Sequence, residues 1–153
     1  MNQPEILIVG AGGMGALFGS ILHENGLKVV LYDTNTEHIR AIQQAGLKIE
    51  GYGGDRTIPI AATSNLSELE SAEIIIFQCK SHGTRQAAKA VRPLITQESV
   101  CISFQNGLGN EEVMAEELGN DFVMGGLTAM AGVLLEPGKI CDFSRVPSHI
   151  GEM

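Results

Sequence analysis

The sequence predicts a doubly wound α/β fold on a mostly parallel sheet, and three features point to it. The first is Ile6-Leu7-Ile8-Val9, four aliphatic residues in a row, the pattern of a strand buried on both faces. The second is the loop that follows, Gly10-Ala11-Gly12-Gly13-Met14-Gly15, with Gly10, Gly12 and Gly15 in G-x-G-x-x-G spacing. The third is the alternation downstream, where short apolar runs and helix-period stretches take turns as far as residue 125.

Each glycine of the loop has a physical task in a Rossmann-type dinucleotide site. Gly10 permits the tight turn out of the strand, Gly12 keeps side chains away from a pyrophosphate, and Gly15 lets the next helix pack closely on the sheet. The helix N-terminus then turns unpaired N–H groups and its positive dipole end toward phosphate. A second strand over 28–32 ends at Asp33, 18 residues past Gly15. That is near the offset of the acid that accepts a hydrogen bond from a ribose 2′-hydroxyl.

The elements follow in order. The first helix runs over 14–25 with Met14, Leu17, Phe18, Ile21 and Leu22 as its apolar set, and Gly26 stops it. Thr34 and Asn35 are the N-cap choices for a helix over 36–45, with Glu37 early in it and Gly46 at its end. Residues 47–50 and 56–60 alternate around Gly51-Tyr52-Gly53-Gly54-Asp55, which reads as a hairpin toward the sheet edge, where Pro59 is tolerated. An acidic helical crossover spans 65–72. A buried strand over 73–80 turns polar at its end, and a helix over 83–92 stops at Pro93. A strand over 99–104, a helix over 110–118 closed by Gly119, and a last parallel strand over 122–125 complete the alternation. The apolar runs 127–135 and 139–143, joined by Glu136-Pro137-Gly138, are expected to add antiparallel strands to the sheet or its rim.

Composition bounds the function. At 153 residues the chain fits one domain with a proper core. A net charge of −8 and the lack of tryptophan argue against nucleic-acid and anionic-membrane partners. Cys79, Cys101 and Cys141 are odd in number with no C-x-x-C, so reduced thiols in a cytoplasmic protein are expected. The first strand begins by residue 6, so no signal peptide is expected, and no apolar run is long enough to span a membrane.

Ligands of open α/β sheets gather beyond the carboxyl ends of the strands. That places the glycine loop, Asp33, the stretch from Gln78 to His82, and the stretch from Gln105 to Gly107 around one cleft. Burying an ammonium is costly, so Lys80 is expected past the sheet. There it either donates to a cofactor or carboxylate substrate or is a solvated junction lysine. Asn106-Gly107 is equally a plain turn or a ligand-binding amide. His82 is an acid–base option. His23, His38 and His149 lack metal-ligand spacing, and no metal site is expected.

These residues together resemble the ketopantoate reductase family, the 2-dehydropantoate 2-reductases. The carriers are the segment 8–16 with its glycine loop, Lys80, Phe104-Gln105-Asn106-Gly107-Leu108-Gly109, Glu136-Pro137-Gly138 and Ile150-Gly151-Glu152, covering nearly the whole chain. The resemblance implies an NADP(H)-binding Rossmann domain over 1–153 and a helical C-terminal domain, absent from this chain, that completes the active site. It implies hydride transfer to ketopantoate, giving pantoate for pantothenate and coenzyme A. Lys80 and Asn106 correspond to family residues lining the cofactor–substrate cleft. The family's principal catalytic lysine lies in the C-terminal domain, so this chain alone is expected to be inactive.

Asp33 departs from the family pattern. NADP(H)-using members often carry a basic residue near this position, whereas a carboxylate suits a 2′-hydroxyl and repels a 2′-phosphate; Arg40 is the nearest downstream cation in sequence. The residues therefore lean to NAD and the family to NADP. Two other readings stay open. One is a dehydrogenase of another 2-keto or 2-hydroxy acid, in the 6-phosphogluconate-dehydrogenase-like group. The other is a nucleotide-binding module without chemistry. A removed domain would leave apolar surface, so a homodimer is a further expectation.

Overall fold

The computed structural model describes residues 3–152. Its main sheet begins with β1 (Ile6–Val9), β2 (Val29–Tyr32), β5 (Ala61–Thr63) and β6 (Ile74–Phe77). It continues with β7 (Val100–Ser103), β8 (Val123–Leu127) and β11 (His149–Glu152). The order across the sheet is β11-β8-β7-β6-β1-β2-β5, all parallel except β11, which runs antiparallel to β8. Leu7 pairs with Val30 on one side and Ile75 on the other. The chain leaves β1 first toward β2 and later toward β6, so the direction of winding reverses between β1 and β6. That reversal opens a crevice at the strands' carboxyl ends.

The strands are apolar throughout because both faces are covered. Ile6, Ile8, Leu31, Ile76 and Ile102 face one core, with helices α1 (Gly13–Glu24) and α2 (Thr36–Ala45). Leu7, Val9, Val30, Ile75, Phe77 and Cys101 face the other, with α3 (Thr84–Val91) and α4 (Asn110–Leu118). Successive strand residues point to opposite faces, so each four-residue strand supplies both cores.

A second sheet of four strands has the order β4-β3-β10-β9. It comprises β3 (Leu47–Gly51), β4 (Arg56–Ile58), β9 (Ala131–Glu136) and β10 (Lys139–Ser144). Leu47, Ile49, Ile58 and Ile140 join the core that holds α1 and α2. Helix α1 is thereby covered on two sides, and six consecutive residues, Gly15 to Ser20, are buried. A helix hydrophobic on more than one face belongs between two layers.

This second sheet corrects two expectations. The 47–60 segment does form a hairpin, with β3 antiparallel to β4, but it does not extend the main sheet. Its alternation marks the solvent face of a separate sheet. The edge of the main sheet is instead β5, in a stretch to which the sequence assigns no element. Likewise β9 and β10 form the expected antiparallel pair, but β10 runs parallel to β3. The antiparallel strand added to the main sheet is β11, which was not expected. Helix ends agree closely elsewhere. Asn35 caps α2 by accepting from the His38 N–H at 3.1 Å, and Gly119 ends α4. Pro93 sits within a 3₁₀ turn, Arg92–Leu94, that continues α3. No helix among the described residues is long and apolar enough to cross a membrane.

Candidate active site

The loop between β1 and α1 opens the crevice. Gly10 has φ +99, and a Cβ there would lie 2.5 Å from the Cys79 nitrogen, so only glycine lets β1 and the β6 loop approach so closely. A Cβ on Gly15 would run into the Gly10 carbonyl oxygen, which is why α1 can turn back tightly on the strand. Gly12 differs: a Cβ there meets nothing within 4 Å. The free space lies on the ligand side of the loop, where the spacing predicts a pyrophosphate. Helix α1 has no capping side chain and no acid in its first turn, leaving its N-terminal dipole uncompensated for an anion.

Two hollows meet at this loop. One, about 650 Å³, runs past Gly10 and Gly12 to Asp33, Asn35 and His82. The other, about 440 Å³, is lined by Gly13, Met14, Gln105, Asn106, Thr128 and Met130 among others. Gly12, Gln78, Cys79, Lys80 and Leu134 line both and form the neck between them. Ala11, Gly15 and Gly107 line neither: Ala11 and Gly15 are buried, and Gly107, at φ +99, serves the turn. Arg40 is exposed and does not line the first hollow.

At the far end of the first hollow, Asp33 Oδ1 accepts from the Asn35 N–H at 2.8 Å. Burial, and then the Asp33 charge, push the neighbouring Tyr32 phenol up. Burial also pushes the Cys79 thiol up, so it is the neutral thiol at neutral pH. Lys80 is exposed and makes no ion pair among the described residues. The crevice thus carries a carboxylate at one end, an amide-rich anion cradle in the middle, and an ammonium beside an exposed amide, Asn106, at the other end. Cys79, Cys101 and Cys141 are unpaired, and no cluster among the described residues could hold a metal ion.

Hydrogen bonds that the sequence does not announce fix the backbone on either side of Lys80 and at Asn106. Gln105 Nε2 donates to the Cys79 carbonyl and to Thr84 Oγ1, both at 2.8 Å. Thr84 Oγ1 donates to Asn110 Oδ1 at 3.0 Å. Asn110 Nδ2 donates to the Asn106 carbonyl at 3.2 Å, and Ser81 Oγ donates to the same carbonyl at 2.9 Å. This chain, buried at Gln105, Thr84 and Asn110, fastens the loop after β6 to the loop after β7. The available signal was a hydroxyl or amide at the first residue of each following helix, Thr84 and Asn110.

His38 is the other missed group. It is buried on the inner side of α2, next to Ile39 and Ile42. Its Nδ1 accepts from the Gly138 N–H at 2.9 Å, and its Nε2 donates to the Ala11 carbonyl at 2.7 Å. The acceptor role of Nδ1 fixes the neutral Nε2–H tautomer. One side chain therefore ties the glycine loop to the β9–β10 turn.

Relatives of known family match nearly the whole chain. A family model described as ketopantoate reductase PanE/ApbA matches residues 6–153. A 2-dehydropantoate 2-reductase of Pyrococcus abyssi is 36% identical over 136 residues, which cover 89% of this chain and 43% of that relative. The crystal structure of 2-dehydropantoate 2-reductase from Geobacter metallireducens aligns with a TM-score of 0.88 at 28% identity, covering 96% of this chain and 48% of that one. A D-mandelate dehydrogenase with NADH and anilino(oxo)acetate aligns at 0.83 and 25% identity, covering 95% and 46%. The chain spans somewhat under half the length of the curated relatives it matches.

Proposed function

Because this chain belongs to the ketopantoate reductase family, we propose that it is the N-terminal, cofactor-binding domain of an NAD(P)H-dependent reductase of 2-keto acids. Ketopantoate is the first substrate to test. The observation that carries the reading is the convergence of the glycine loop, Lys80 and Asn106 on one hollow at the sheet's switch point.

A bound reduced nicotinamide supplies the hydride. The residues of this chain do the holding. The loop and the N-terminus of α1 take the pyrophosphate, and the open space at Gly12 is what lets it approach the backbone. Lys80 and Asn106 line the second hollow, where the keto acid sits. There an ammonium and an amide stabilise the carboxylate and the negative charge that grows on the reacting oxygen. The proton for that oxygen comes from the rest of the longer protein, because a keto reduction needs an acid placed at the alkoxide. The free thiols suit a cytoplasmic setting.

The cofactor half of the proposal is NAD(H). Asp33 lines the first hollow, which supports its carboxylate as the acceptor of a ribose 2′-hydroxyl; a phosphate dianion there would meet a fixed negative charge. The same residue favours a second reading, a reductase of a different 2-keto acid. The D-mandelate dehydrogenase that aligns with this chain holds NADH and anilino(oxo)acetate.

The test uses the longer protein that carries this domain, offered ketopantoate and related 2-keto acids with NADH or NADPH. Cofactor oxidation with one of them is expected. Lys80→Ala should lower kcat/KM about 10²- to 10³-fold, the loss seen when one donor to a developing oxyanion is removed. No oxidation with any 2-keto acid would overturn the reading.

A further inference from the structure

Gln78 is the one cleft residue whose side-chain nitrogen, Nε2, is sealed from solvent and yet has no hydrogen-bond partner among the described residues. It follows β6 directly, and its backbone N–H donates to the Val9 carbonyl at 2.8 Å. That bond presses the residue against the turn into the glycine loop, where a Cβ on Gly10 would lie 2.8 Å from the Gln78 carbonyl carbon. Its neighbours in sequence satisfy their own chemistry. Phe77 is wholly buried in the core, and the Cys79 carbonyl accepts from Gln105.

A buried donor without an acceptor destabilises the protein, whereas an apolar side chain of the same size would not. Such a group needs an explanation, and its position offers one. Gln78 lines both hollows at their neck, together with Gly12 and Lys80. The carboxylate of Asp33 lies at the far end of the first hollow, and Asn106 lies in the second. A dinucleotide laid with its adenosine ribose at Asp33 and its pyrophosphate over Gly12 therefore passes Gln78 on the way to the second hollow.

We propose that the Gln78 amide donates a hydrogen bond to an oxygen on the nicotinamide–ribose half of the bound dinucleotide, and that the cofactor completes what the protein leaves unpaired. This rests on the dinucleotide reading above. Being neutral, the amide reads an acceptor oxygen without adding to the charge of Lys80 beside it.

The test replaces Gln78 with methionine, which keeps the length of the side chain and removes its donor. Three measurements are made on this chain: the thermal midpoint without nucleotide, the affinity for AMP, and the affinity for NADH. The Gln78→Met midpoint should match or exceed that of the unsubstituted chain, and AMP should bind equally well. NADH should bind about three- to tenfold more weakly, the worth of one net hydrogen bond. Undiminished NADH affinity would overturn the proposal. So would a parallel loss of AMP affinity or a lowered midpoint, since either would make Gln78 a general structural support. If the unsubstituted chain bound neither nucleotide, the dinucleotide reading itself would fall, and this proposal with it.

Discussion

Cys101 lies in β7 with none of its surface exposed, and burial pushes its thiol up to about 12. The unfolded chain releases that proton in the ordinary thiol range, and the folded chain only well above it. The stability that depends on keeping the thiol protonated is therefore full below the ordinary thiol range and is lost as pH rises toward about 12. Chemical denaturation across that alkaline window should show a steeper fall for the unsubstituted chain than for Cys101→Ala, by the slope of one proton; equal slopes would deny the burial effect. The close-approach tasks of Gly10 and Gly15 were legible, because each follows from backbone geometry. The pairings of Gln105, Thr84 and Asn110 were not. Which polar groups meet at sequence separations of 21 or 26 is decided by strand order, and a single sequence does not carry that order openly.

Strand β9 rests directly on the N-terminus of α1, which divides the tasks of two adjacent glycines. A Cβ on Gly13 would sit 2.5 Å from Val133 Cα and 2.6 Å from the Gly132 carbonyl oxygen. Both are backbone atoms, so neither yields cheaply. Gly13→Ala should therefore lower unfolding stability by about 1–3 kcal/mol, the usual cost of overpacking. Gly12 has φ −62 and open space around it, so Gly12→Ala should leave stability within about 0.5 kcal/mol and yet block nucleotide binding. Denaturant titration and nucleotide binding on both variants check this; similar stability losses would mean that the loop is not split between packing and ligand. The hairpins were legible from alternation and from their glycine and proline turns. Their union was not, because β3 and β10 pair between residues such as Ile49 and Ile140, far apart in the chain. Strand β11 was missed for a related reason: His149-Ile150-Gly151-Glu152 is exposed throughout, and no hydrophobic pattern announces it.

As a whole, the molecule is a parallel sheet with helices on both faces and a second sheet laid over α1. The layering explains why one helix is buried nearly all round and why the β9–β10 hairpin reaches the glycine loop. Exposed large apolar residues, among them Leu127, Val133, Leu135, Phe143, Val146 and Ile150, fall in the last third of the chain. The carboxyl ends of the strands gather Asp33, Gly12, Lys80 and Asn106 along one crevice, and the proposed function requires that crevice to hold a nicotinamide dinucleotide. The most direct test is a parallel titration of this chain with NADH and NADPH, followed by nucleotide fluorescence, and repeated on Asp33→Ala. NADH should bind roughly fivefold or more tightly than NADPH, the effect of about 1 kcal/mol of carboxylate–phosphate repulsion. Asp33→Ala should weaken NADH and narrow the gap. Tighter binding of NADPH would remove Asp33 from the ribose site, and binding of neither nucleotide would contradict the account at its centre.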